Sequence, residues 1–168
     1  MTSMQLIRDI KDLIVSETRN GKGLFSNKNF FKEDVVLLIE GELLRSEELN
    51  LKGKKFINNA FRFDEEFYLS PNGRLGDFLN HSCNPNCGIR IVDGSMFLVA
   101  LMDIPKGSEI VMDYSTIIAD DDIWKMRCNC GSGNCRKSIG RFSNLPCDIK
   151  EIYENSDIVP KYIKSSSE

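Results

Sequence analysis

The sequence predicts a mostly β domain of short strands and small sheets, followed by a small C-terminal appendage. Three observations carry that expectation: apolar and aromatic runs are brief, turn residues separate them, and no sustained helical periodicity precedes residue 147. Residues 10–17 mix apolar and charged side chains and read as an opening strand or a short helix. Gly21-Lys22-Gly23 reads as a turn leading into Leu24 and Phe25. Residues 35–39 are an apolar run between acidic neighbours, which is the pattern of a buried strand. Residues 43–59 are polar and lysine-rich around Gly53, and read as helical in part.

Residues 61–63 and 67–69 are aromatic strand candidates around Asp64-Glu65-Glu66, and Pro71-Asn72-Gly73 is a turn. Residues 89–92 and 96–102 flank Asp93-Gly94, a pair that suits the positive backbone torsions of a two-residue hairpin. Pro105-Lys106-Gly107 turns the chain again, into a last short strand over residues 109–114. A helix is expected near residues 147–153, and Ser165, Ser166 and Ser167 make a serine-rich end.

With 41% hydrophobic residues among 168, the chain can bury a core, which argues against global disorder. A net charge of −3 disfavours a role built on duplex nucleic acid, where a basic face is expected, and is compatible with a basic protein partner. Charges interrupt the apolar residues of the first 17 positions, so no signal-peptide core is present, and no run has the length of a membrane span. The expectation is a soluble intracellular protein, cytoplasmic or nuclear according to source, with secretion as an effector left open and no membrane partner.

Six cysteines occur, at 83, 87, 128, 130, 135 and 147. Cys128, Cys130 and Cys135 crowd into eight residues with Gly131 and Gly133 between them, so the chain can wrap around one point. In a chain without a secretory signal this spacing points to metal rather than disulfides. Thiolates suit a four-coordinate structural zinc, and three local thiols leave one position for a distant donor. Cys83, Cys87, Cys147 and His81 are the remaining candidates.

Three further segments belong together: Gly21-Lys22-Gly23-Leu24-Phe25; Gly76-Asp77-Phe78-Leu79-Asn80-His81-Ser82-Cys83-Asn84-Pro85-Asn86; and Gly107-Ser108-Glu109-Ile110-Val111-Met112-Asp113-Tyr114. In this order, with Cys-x-Cys-Gly-x-x-x-Cys-Arg after them, they resemble the SET-domain family of lysine methyltransferases with its post-SET zinc segment. The likeness covers about residues 20–142. It implies a SET fold with a knot-like C-terminal segment over residues 1–118, including a variable insert at about 43–60. It further implies a zinc-binding lid over 119–142 and a partly helical tail over 143–168.

The resemblance implies S-adenosylmethionine as methyl donor, a structural Zn²⁺, and a protein substrate presenting a lysine, histone tails among them. Lys22, Gly23 and Leu24 correspond to the segment that receives the methionine part of the donor. Asn80 and His81 hold it further, and Trp124 closes over it. Tyr114 is the catalytic tyrosine, steering the target amine through its phenol and also touching the donor. Cys83 is the fourth zinc ligand beside Cys128, Cys130 and Cys135. Ile39, Met112 and Phe142 are assigned to the substrate channel.

The chain departs from the family pattern at Asp77, where arginine is common, and at Ile39, where a tyrosine usually lends a hydroxyl to the channel. Tyr68 is a candidate to replace that hydroxyl. Met112 lacks the hydroxyl that restricts methylation number, and on that basis more than one methylation is expected. Three readings stand beside the enzyme: an inactive SET-fold binding module, a methyltransferase of a small amine or free amino acid, and a zinc-ribbon nucleic-acid binder. The tail is expected to pack on the lid.

Overall fold

A computed structural model describes residues 10–122 and 124–164. The opening segment 1–9 and the serine-rich end lie outside them. A single 3₁₀ turn (Ile10–Asp12) leads into β1 (Leu13–Thr18), so both readings of the opening segment hold in succession. The other strands are β2 (Gly21–Ser26), β3 (Val35–Leu38), β4 (Glu42–Arg45), β5 (Phe61–Arg62), β6 (Phe67–Ser70), β7 (Asn80–His81), β8 (Cys87–Val92), β9 (Ser95–Ala100), β10 (Glu109–Met112), β11 (Met126–Arg127) and β12 (Ser138–Ile139). The helices are α1 (Ser46–Lys52), α2 (Lys54–Asn59), α3 (Cys147–Asn155) and α4 (Lys161–Lys164).

The main sheet runs β1-β2-β10-β8-β9-β3, with β7 also pairing β10. A second sheet runs β4-β6-β5, and β11 pairs β12. The expected hairpin forms between β8 and β9, with Val92 opposite Ser95. Asp93 (φ 48°) and Gly94 (φ 72°) supply the two positive torsions that its tight turn requires. In β10 the buried residues alternate, Ile110 and Met112 facing the core, as expected of a strand in a packed sheet.

β10 is the centre of the fold. It is antiparallel to β2 and parallel to both β7 and β8. The Asn86 side chain extends this pairing: its Nδ2 donates to the Glu109 carbonyl at 2.8 Å, and its Oδ1 accepts from Val111 N at 2.9 Å. β7, the 82–86 turn and β10 converge here.

Gly21-Lys22-Gly23 is not a turn. It opens β2, paired to β1 from Thr18 opposite Gly21 to Leu13 opposite Ser26, and the chain reverses at Arg19-Asn20. The tail also differs from expectation, because it packs on the main sheet rather than only on the cysteine segment. Tyr153, Ile158, Val159 and Tyr162 join Val99, Phe142 and Leu145 in a second buried cluster. A Cβ on Gly88 of β8 would stand 2.5 Å from Ile158 Cγ2, so the glycine admits the tail against the strand. Arg90 fixes it further, donating from Nη2 to the Ser156 carbonyl at 2.9 Å. Among the described residues no helix is long and apolar enough to cross a membrane.

Candidate functional site

Asn80 brings two distant segments together. Its Nδ2 donates to the Lys22 carbonyl at 3.1 Å and to Glu109 Oε1 at 2.9 Å, tying β7 to β2 and β10. Gly23 lies under this bridge: a Cβ there would meet Glu109 Oε1 and Thr18 Cγ2 at 2.6 Å and Asn80 Nδ2 at 2.9 Å. The glycine is therefore required by close approach, not by an unusual torsion. Leu24, the next residue, is fully buried in the core.

His81 is buried, and its Nδ1 accepts the Tyr114 backbone N–H at 3.2 Å. That bond places the ring proton on Nε2, which faces Cys83 Sγ at 3.4 Å. Asp113 Oδ1 stands 3.5 Å from Nδ1, but no ion pair forms, since burial drives the imidazole down to about 4 against the opposing pull of Asp113. A neutral ring that orders backbone and sulfur is a packing element, not a base poised near neutrality.

Tyr114 begins the 3₁₀ turn Tyr114–Ile117, which Asp113 caps by accepting from Ser115 N at 3.0 Å. Its ring meets His81 edge-on at 5.3 Å between centroids and Trp124 at 6.3 Å. Its hydroxyl donates to the Leu79 carbonyl at 2.5 Å. Its proton is held by the Leu79 carbonyl, and the oxygen has lone pairs to offer. Burial, reinforced by Glu109, raises the phenol above its ordinary value, so it stays protonated well beyond neutral pH.

Tyr114 lines a cavity of about 360 Å³ together with Tyr68, Leu79, Asp122 and Trp124. Trp124 is held by Nε1 donating to Asn58 Oδ1 at 3.2 Å. Tyr68 donates from its hydroxyl to Asp122 Oδ1 at 2.8 Å, and Asp122 Oδ2 accepts from Ala119 N at 2.8 Å and from Arg62 at 3.0 Å. Burial, then the bond to Asp122, raises the Tyr68 phenol as well. None of the three expected channel residues lines this cavity. Ile39 and Met112 are core side chains of the main sheet, and Phe142 belongs to the cluster under the tail. Asp77, the charge departure, is used locally: it accepts from Gly73 N at 2.5 Å and from Asn59 Nδ2 at 3.4 Å.

The cysteines form the third component. Cys128 Sγ lies 3.7 Å from Cys83 Sγ and 3.6 Å from Cys135 Sγ. A tetrahedron of thiolates about a zinc at roughly 2.3 Å has edges of about 3.8 Å, so these separations fit such an ion. The donor atoms of His81, Cys83, Cys128 and Cys130 all lie within 4.8 Å of one another. Cys135 reaches the group through Cys128, and His81, whose Nε2 carries the proton, faces Cys83 as a hydrogen-bond donor. Burial raises the Cys83 thiol. For Cys130 burial acts the same way but is outweighed by hydrogen bonds from the Cys83 backbone and Ser132, which bring it down to about 5. A thiolate is the metal-ligating form. Cys87 is a core residue of β8 and Cys147 is exposed at the start of α3.

Sequence reasoning gave no role to Asp113, Arg136 or Tyr153, which form one network of a buried carboxylate and phenol with a half-buried guanidinium. Arg136 Nη2 donates to both Asp113 oxygens at 2.8 and 2.7 Å, and the Tyr153 hydroxyl donates to Oδ2 at 2.9 Å. Asp113 and Arg136 lie inside the motifs that carry Tyr114 and Cys135, which is the signal the sequence offers for them.

Comparison with known proteins matches residues 21–115 to the SET domain. The chain is 33% identical over 128 residues to "Histone-lysine N-methyltransferase trr" of Drosophila melanogaster, covering 70% of this chain and 5% of that protein. It is 35% identical over 132 residues to "Histone-lysine N-methyltransferase 2B" of Homo sapiens, covering 71% and 5%. To "Histone-lysine N-methyltransferase, H3 lysine-4 specific" of Aspergillus oryzae it is 31% identical over 126 residues, covering 68% and 10%. The chain thus spans a tenth or less of these relatives. The matched stretch runs from β2 through Tyr114 and contains the Asn80 bridge, His81 and the tyrosine at the cavity. The chain belongs to the SET-domain family.

Proposed function

We propose that the chain is a protein-lysine N-methyltransferase using S-adenosylmethionine, with a lysine-bearing protein such as a histone tail as substrate. The observation that carries this reading is Tyr114, bonded to His81 and Leu79 and lining a cavity of about 360 Å³. S-adenosylmethionine supplies an electrophilic sulfonium methyl when bound. Lys22, Gly23, Leu24, Asn80, His81 and Trp124 are the residues assigned to hold it. The half-buried Asn80 and the β2 backbone it bridges support that assignment.

The target lysine reacts only as the neutral amine, whose ordinary pKa is about 10.4. Leu79, Ile117, Ile118 and Trp124 are apolar lining that disfavours the ammonium form, Asp77, Asp121 and Asp122 in the same lining favour it, and a bound cationic donor would oppose a second positive charge beside it. Tyr114 Oη accepts a hydrogen bond from the amine and sets its direction, because its own proton is held by Leu79. The contribution of the chain is alignment and exclusion of water, and no protein base is needed. Radiolabelled methyl donor incubated with the protein and a cell extract tests the proposal. Label in methylated lysine after protein hydrolysis supports it; label in free amino acids or small amines, or in nothing, refutes it.

Zinc held by Cys83, Cys128, Cys130 and Cys135 would brace the 119–142 segment against the Asn80–Cys83 turn. The S···S separations support this. Purified protein is expected to contain about one zinc per chain by elemental analysis. Cys135→Ser should lower both zinc content and transfer, whereas Cys147→Ser, at an exposed position, should change stability by less than about 0.5 kcal/mol. Equal effects of the two would remove the ligand assignment.

Gly23→Ala tests the donor face. The added methyl must displace Glu109 or Asn80, an overpacking that costs about 1–3 kcal/mol. Calorimetry should show weaker binding of S-adenosylhomocysteine, and unchanged affinity would contradict the placement.

A further inference from the structure

Two buried tyrosines of the tail have no part in the reading above, although they reach both ends of the turn that carries Tyr114. Tyr153 stands on α3 and Tyr162 on α4, and each is 4% exposed. The Tyr153 hydroxyl donates to Asp113 Oδ2 at 2.9 Å, and Asp113 caps the 3₁₀ turn Tyr114–Ile117 by accepting from Ser115 N at 3.0 Å. The Tyr162 hydroxyl shares its proton between the carbonyls of Arg62 at 3.0 Å and Ile117 at 3.3 Å. Ile117 is the last residue of the same turn, and both Ile117 and Arg62 line the cavity beside Tyr114. The Tyr162 ring also lies 5.2 Å from the Arg62 guanidinium. Burial raises both phenols above their ordinary value, so both remain donors at neutral pH.

From this arrangement we infer that Tyr153 and Tyr162 are positioning residues for Tyr114, the tail gripping its turn at both ends. The inference rests on the lysine-methyltransferase reading for its kinetic test. A single 3₁₀ turn has poor internal hydrogen-bond geometry, so its direction depends on what holds its ends. The bond to Asp113 fixes where the turn begins, and the bond to the Ile117 carbonyl fixes where it stops. Packing alone does not account for the two hydroxyls, since phenylalanine would fill the same apolar cluster without a polar group to desolvate. At both positions the hydroxyl bond goes to the Tyr114 turn or its cap. The tail lies beyond the residues 21–115 matched to the SET domain, so this grip comes from outside the matched stretch.

The test compares steady-state methyl transfer to one lysine-rich acceptor protein by wild type, Tyr153→Phe, Tyr162→Phe and Ile158→Val. The phenylalanine variants keep the ring in its cluster and delete only the hydroxyl, and Asp113 keeps Arg136 and Ser115 N. Ile158→Val is the control for lost stability: it thins the packing of the tail on Gly88 of β8 and removes no bond to the turn. Each phenylalanine variant should lower kcat about tenfold, part of the roughly 100-fold that a displacement of about 1 Å costs. KM and affinity for S-adenosylhomocysteine should stay within about twofold of wild type, and Ile158→Val should lower the melting temperature with kcat within about twofold. An unchanged kcat in either phenylalanine variant, a loss carried by KM alone, or an equal loss in Ile158→Val overturns the inference and leaves the activity standing.

If wild type transfers no methyl at all, the activity reading fails and the position of Tyr114 is read directly by NMR. The chain has four tyrosines, so ring-labelled protein gives four sets of signals, and the set that Tyr114→Phe removes is that of Tyr114. Tyr153→Phe and Tyr162→Phe should each shift it, and Ile158→Val should leave it in place. A Tyr114 signal that stays put in either phenylalanine variant, or moves as far in Ile158→Val, rejects the inference.

Discussion

Tyr114→Phe is expected to reduce methyl transfer by roughly 100-fold or more while leaving the fold and donor binding intact. The ring still packs against His81 and Trp124, and the bond from Tyr114 N to His81 Nδ1 belongs to the backbone, so neither depends on the hydroxyl. Two things are lost: the acceptor that aims the amine, and the donor that satisfies the Leu79 carbonyl. Misdirection of a reacting atom by about 1 Å alone costs on the order of 100-fold. The loss should appear in kcat, with affinity for S-adenosylhomocysteine unchanged by calorimetry. In the wild type the rate should rise with pH as the substrate amine loses its proton. Because the Tyr114 phenol is raised above its ordinary value of about 10, no tyrosinate limb should intervene below that pH. A wild-type rate in Tyr114→Phe would place the chemistry elsewhere.

Asp113→Ala should be the most destabilising single change, costing about 3–5 kcal/mol in urea unfolding. The Asp113 side chain is fully buried and accepts from Arg136, Tyr153 and Ser115 N. Those donors come from the cysteine segment, the tail helix and the turn that carries Tyr114. Removing the carboxylate leaves a guanidinium, a phenol and an amide without their common acceptor. Asn is not a rescue, since both carboxylate oxygens accept and an amide supplies only one acceptor. A loss below about 1 kcal/mol for Asp113→Ala would mean that the network does not hold the three parts together.

Local chemistry made much of the fold legible. The β8–β9 hairpin was readable because Asp93-Gly94 has one favourable geometry, and β3 and β10 because their burial follows the apolar pattern. Gly21-Lys22-Gly23 misled for a related reason. Glycine marks either a torsion or a close approach, and at Gly23 it marks the approach of Asn80 and Glu109 from positions far away in sequence. Distance along the chain also hid the Asp113 network, whose partners lie 23 and 40 residues further on.

The site was legible where motifs carried it. Tyr114 meets His81, His81 meets Cys83 and Cys83 meets Cys128, while Asn80 bonds Lys22 and Glu109; the roles assigned to them remain proposals. The residues assigned to the channel do not line the Tyr114 cavity, and motif position cannot say which way a side chain faces. Ile39 and Met112 turn into the core, Phe142 turns under the tail, and Tyr68 from the second sheet takes a place at the cavity. The tail itself lies beyond residues 21–115, so no motif indicated that Tyr153 would reach Asp113.

The most direct measurement is a single-turnover reaction of wild-type protein with S-adenosylmethionine and a lysine-rich acceptor protein, quenched and read by peptide mass spectrometry. One methylated lysine formed for each S-adenosylhomocysteine released is the expected result. Donor consumed without any modified lysine, or donor bound and never consumed, would contradict a cavity in which Tyr114 presents an amine for methyl transfer.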